Sequence, residues 1–103
     1  MAPMQIRSFA EAREWLSFCL RENPEGRPNF VRLRDGIVLR WNEFHDIHSS
    51  TTFLRWQILN DRGEILACNR SSLWKTMDLA SMDENAHVTE LWRACAAWGP
   101  GAA

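Results

Sequence analysis

The chain has no tyrosine, a single lysine at Lys75, and no apolar run near the roughly 20 residues a membrane span needs. It has no Cys-x-x-Cys pair, no G-x-G-x-x-G, no P-loop and no G-x-S-x-G. Phosphate-cradling loops and nucleophile elbows are therefore without support, and the reading is of a protein that is not an enzyme. The opening Met-Ala-Pro-Met-Gln-Ile-Arg lacks an apolar core of signal-peptide length. The three cysteines, Cys19, Cys68 and Cys95, are an odd number and fit reduced thiols. An unexported, cytoplasmic protein with no membrane partner is expected. The formal net charge is −1, so no global positive field recruits nucleic acid or an anionic surface.

Six tryptophans stand where tyrosines would be shared, and eleven of the twelve basic residues are arginine. A GC-rich coding bias accounts for the arginine; its planar guanidinium nonetheless suits carboxylate and phosphate. With 103 residues, 46% of them hydrophobic, the chain is one domain able to bury about two-thirds of its unfolded surface. Residues 1–103 are expected to form a single compact domain, with 1–7 and 99–103 as flexible tails.

Ser8-Phe9-Ala10-Glu11 is a capping box. Behind it Phe9, Ala12, Leu16, Cys19 and Leu20 recur at helical spacing, which predicts a helix over 9–22, ended by Asn23-Pro24-Glu25-Gly26. Residues 31–41 and 53–67 each read as two alternating runs about a turn containing Asp and Gly, the grammar of a β-hairpin. In the first, a three-residue loop Arg34-Asp35-Gly36, with Gly36 as a left-handed bulge, sets Leu33 opposite Ile37 and Val31 opposite Leu39. Val31, Leu33, Ile37, Leu39 and Trp41 then share one face, and Phe30, Arg32, Arg34, Val38 and Arg40 the other; a slip of one residue reverses both. The second hairpin is placed at 53–59 and 64–68, with Leu54, Trp56 and Ile58 on one face. Polar 42–52 reads as a loop, and Leu73, Trp74, Met77 and Ala80 as a short helix. Ser81-Met82-Asp83-Glu84 is a second capping box, followed by Val88, Leu91, Trp92 and Cys95 on a helix to about Trp98 and a Gly99-Pro100-Gly101 stop.

The sum is an α+β two-layer sandwich: a four-stranded antiparallel β-meander flanked by an N-terminal helix and one or two C-terminal helices. Its candidate binding face carries Phe30, Arg32, Arg34, Val38 and Arg40, extended by Phe53 and Arg55. Arginine and aromatic residues are enriched at protein interfaces and also suit single-stranded nucleic acid. Asp35, Glu43 and Asp46 dilute that charge, which favours a protein partner, one with an acidic surface, over nucleic acid. If the helices divided between the sheet faces, Phe30, Val38, Phe53 and Leu66 would instead be core. On the first helix, Trp15 at the edge of the apolar stripe and Phe18 among Glu11, Glu14 and Glu22 are candidate anchors for a partner or a homodimer. His45-Asp46-Ile47-His48 lacks the further ligands of a known metal spacing, so no metal or other cofactor is expected. A small enzyme pairing His45 or His48 with a thiol is the weakest alternative. The leading expectation is a small, tryptophan-rich, non-enzymatic protein-binding module: an adaptor, chaperone-like subunit, immunity protein or inhibitor.

Overall fold

Ser8 starts the first helix, α1 (Phe9–Arg21), by accepting the Glu11 amide on its hydroxyl at 3.2 Å. The Glu11 carboxylate reaches back to the Arg7 amide at 3.0 Å, one residue earlier than the capping box predicts. The computed structural model describes residues 5–21, 30–74 and 84–99. Ile6 is buried in the core, so the chain is already docked there before α1 begins. At the other end Gly99 is buried as well, while 1–4 and 100–103 lie outside the described residues.

Five antiparallel strands follow: β1 (Phe30–Arg34), β2 (Ile37–Asp46), β3 (Thr51–Asn60), β4 (Ile65–Cys68) and β5 (Leu73–Trp74). The chain then ends in α2 (Glu84–Trp98). The sheet runs β1-β2-β3-β4 as a meander, and β5 pairs with β3. Val31 lies opposite Leu39 and Arg32 opposite Val38, as the alternation predicts. The bulge leaves Arg34, rather than Leu33, paired with Ile37. Gly36 has φ +78°, a left-handed conformation that strains any side-chain-bearing residue, and a Cβ there would meet nothing closer than Asp61 Cβ at 4.0 Å. Gly36→Ala is therefore expected to cost about 1 kcal/mol through backbone conformation alone, and Gly36→Asn less, read from urea midpoints.

The polar stretch expected to be a loop is mostly strand. β2 continues to Asp46 and β3 begins at Thr51, pairing residue for residue from Ile37↔Asn60 to Asp46↔Thr51. Only Ile47–Ser50 turns; Asp46 accepts the His48 amide at 2.9 Å, and Ser50 takes φ 55°. The second turn is closed by Asn60, whose side-chain oxygen accepts the amides of Arg62 and Glu64, each at 2.9 Å, with Gly63 at φ +78°. The short helix expected over 73–80 is corrected at its start: Leu73 and Trp74 form β5, paired with Leu54 and Phe53. Met77 and Ala80, like Ser81, Met82 and Asp83 of the second capping box, lie outside the described residues.

β4 and β5 lie along the same edge of β3, and Asn69 fills the break between them. Its side chain accepts the Trp56 amide at 3.1 Å and donates to the Ser71 carbonyl at 2.8 Å. Among the described residues it is the one polar side chain in the buried set, 8% exposed. The link is tied to α2 by the Arg70 amide, which donates to the Glu90 carboxylate at 2.6 Å.

Both helices lie on one face of the sheet. The core joins Ala12, Trp15, Leu16, Cys19 and Leu20 of α1 and Val88, Leu91 and Cys95 of α2 to Val31, Leu33, Leu39, Trp41, Leu54, Trp56, Ile58 and Leu73. Every strand residue in that set belongs to a single side of the pleat. Leu66 packs against its margin, whereas Phe9, expected on the buried stripe, is exposed.

Candidate interaction face

Strand pairing dictates what occupies the side away from the helices. Across β2 that side presents Val38, Arg40, Asn42 and Phe44; across β3, Phe53, Arg55 and Gln57; and at the flanks Phe30, Arg32 and Trp74. The sequence-predicted Phe30, Arg32, Val38, Arg40, Phe53 and Arg55 are thus brought together, whereas the bulge takes Arg34 out of their alternation and pairs it with Ile37, which packs on the core, leaving Arg34 exposed beside the turn. Phe44 and Trp74 are additions. Continuing the alternation of Val38 and Arg40 by two more steps reaches Phe44; for Trp74 no sequence signal pointed to a strand.

These added aromatics define one end of the face. Phe44 and Phe53 are cross-strand partners with ring centroids 5.2 Å apart and planes 18° apart. Trp74 meets Phe53 edge-on at 5.3 Å. The Arg55 guanidinium carbon lies 4.8 Å above the Phe44 ring, within cation–π range, and Arg55 Nη2 donates to the Ser72 hydroxyl at 3.5 Å. Next to this run the Gln57 side-chain oxygen accepts from Arg40 Nη2 at 2.9 Å and from Asn42 Nδ2 at 3.4 Å. Arg40 Nε is buried without a hydrogen-bond partner among the described residues. At the far edge Arg32 pairs with Asp35, both largely exposed.

The charge pattern differs from the sequence expectation in one respect. Glu43 alternates with Asn42 and Phe44, so it stands on the helix side, where its carboxylate acts on the Cys19 thiol. It does not dilute the open face, where Asp35 is drawn to Arg32 and Asp46 stands at the tip of the hairpin.

The helix anchors do not form a second surface. Trp15 is 1% exposed, enclosed because α1 packs against both the sheet and α2, which widens its buried stripe. Phe18 is half-buried and packed against the core. Nor do the imidazoles converge with the thiols. His45 Nδ1 is 3.3 Å from the Thr52 hydroxyl across the hairpin, and His48 is exposed in the turn. Among the described residues no three His, Cys, Asp or Glu side chains are grouped to hold a metal ion.

Cys68 is exposed at the end of β4, whereas Cys19 and Cys95 are buried. Burial pushes the Cys95 thiol up from its ordinary 9.0 to about 12. Burial, and then the Glu43 carboxylate, raise that of Cys19. Unfolded thiols ionise first, so folding holds protons that the unfolded chain has lost. The buried thiols' contribution to stability is therefore complete below the ordinary thiol value and lost as pH rises towards about 12. Urea midpoints should fall on that alkaline side, and an alkylating reagent should modify Cys68 rapidly and the other two only on unfolding.

No family model, no curated protein and no solved structure matches this chain. Among the described residues no helix is long and apolar enough to cross a membrane.

Proposed function

We propose that this chain is a small, non-enzymatic protein-binding module, of the adaptor, chaperone-like, immunity-protein or inhibitor kind, which engages its partner through the open face of the sheet. The observation that carries the reading is the uncovered run Phe44–Phe53–Trp74 with Arg55 laid across it. Aromatic residues and arginine are enriched where interface energy concentrates, and here they are held in place by cross-strand packing before any partner arrives. Arg40, fixed by Gln57, supplies a charged contact beside the apolar run. A partner presenting carboxylates around an apolar patch complements that surface.

A second reading, single-stranded nucleic acid on the same face, is favoured by the position of Glu43. With that carboxylate on the helix side, Arg32, Arg40 and Arg55 share their face with Phe30, Phe44, Phe53 and Trp74, the components of base stacking and phosphate contact.

One experiment separates the two. Tagged chain is used to recover its partner from an extract of the native host, with and without nuclease, beside the Phe53→Ala/Arg55→Ala variant. A stoichiometric protein that survives nuclease and is lost with the variant is expected. Nuclease-sensitive recovery, weakening steeply with salt, would give nucleic acid first place. A protein retained in full by the variant would overturn the assignment to this face.

A further inference from the structure

We infer that the outer edge of β1 binds an extended acidic segment of the protein partner by strand addition, continuing the sheet by one strand. The inference rests on the protein-binding reading above and specifies how the partner is held. Among the described residues β1 pairs only with β2, so alternate residues of Phe30–Arg34 direct N–H and C=O groups away from the sheet. Alongside them runs an open groove of about 460 Å³, bordered by Gln5 and by 30–35. The opposite border offers no such template: β4 is four residues long, its pairing with β3 shifts register after Ile58, and Asn69 separates it from β5.

The side chains choose the occupant. An added strand places every second residue on the open face, against Phe30 and Arg32, with the exposed Arg34 next to it at the turn. Opposite charges across a strand pair stabilise it and like charges oppose it. Asp35 already occupies Arg32, but that pair is exposed at both ends and is readily exchanged for a carboxylate from outside. A second copy of this chain is the poorer occupant. Two β1 strands related by a two-fold axis at Arg32 set Arg32 against its own copy, and an axis at Leu33 sets Arg32 against Arg34 twice. Nucleic acid has no amide ladder to offer. An acidic β-strand satisfies both the backbone groups and the arginines, and leaves its face-side residues continuous with Phe30, which is 52% exposed.

The test uses the full chain and a synthetic nine-residue peptide of alternating glutamate and valine, blocked at both ends, with a lysine–valine peptide as control. Strand addition uses only alternate peptide amides. Of two glutamate–valine peptides N-methylated at one or the other set of alternate residues, one should therefore lose at least about tenfold in affinity and the other bind as before. Amide exchange within 30–34 should slow on binding. Arg32→Glu/Arg34→Glu should exchange the preference for the lysine–valine peptide, and Asp35→Asn should tighten the glutamate–valine peptide severalfold. Equal binding of both methylated peptides, or unchanged exchange along β1, would overturn the inference. So would slowing of β1 exchange with protein concentration alone, which would assign the edge to a second copy. Failure of the protein-binding reading registers elsewhere, as the absence of a nuclease-resistant partner, because the peptide assay does not involve the native partner.

Discussion

Truncating Trp56 to alanine should cost about 3–5 kcal/mol and leave much of the chain unfolded in water. A domain of this size holds only about 5–15 kcal/mol of stability in all. Trp56 is 1% exposed, sits in the middle of β3 and lies opposite Trp41 on the side the helices cover. Its removal opens a cavity in the core that α1 and α2 share with the sheet. Trp56→Phe keeps a ring in place and should lose about half as much. Urea unfolding followed by far-UV circular dichroism reads both variants, since backbone signal does not depend on the tryptophan removed. Trp41→Ala is the informative companion: Trp41 lies just past the last β2 residue that β1 covers, so its surroundings relax more easily and the loss should be smaller.

Asn69→Ala should cost about 1–3 kcal/mol, a large effect for one short polar side chain, because the buried Trp56 amide loses its acceptor while the exposed Ser71 residue gives up a further bond. The Trp56 amide needs an acceptor and the Ser71 carbonyl needs a donor, and an amide side chain supplies both. Asn69→Asp keeps the acceptor but turns an oxygen towards the Ser71 carbonyl and buries a charge. At neutral pH it should be at least as damaging as alanine, and it should recover on acidification, when the neutral carboxyl again offers a donor. Urea midpoints against pH test this, and faster exchange of the Trp56 amide localises the effect. If Asn69→Ala proved neutral, the join between β4 and β5 would owe nothing to this side chain.

The parts of the fold legible in the sequence are those where burial and periodicity coincide. Val31, Leu33, Leu39 and Trp41 are apolar at every second position around an Asp-Gly turn, so only one register of the first hairpin buries them all. The two helices declared themselves in the same way, through Ala12, Leu16 and Cys19 and through Val88, Leu91 and Cys95. What escaped was structure held by backbone pairing rather than by an apolar face. Asn42, Glu43, His45 and Asp46 show no alternation, yet each is paired across to β3. Leu73 and Trp74 make a strand too short to display a period. The candidate face was legible along β1 and the first half of β2. Phe44 is hidden in the sequence because its polar neighbours read as a loop. The burial of Trp15 is not legible from a helical wheel, which locates one buried stripe and does not anticipate a second helix alongside.

The meander also constrains the order in which the molecule assembles. Every strand pair joins neighbours along the chain or nearly so, and such loops close quickly and at little entropic cost. The packing of α1 on α2 is different: these elements come from opposite ends of the sequence and meet only across the finished sheet. Contacts of that span form late, so substitutions at the α1–α2 seam should act chiefly on the unfolding rate, whereas those in the β2–β3 ladder should slow folding itself.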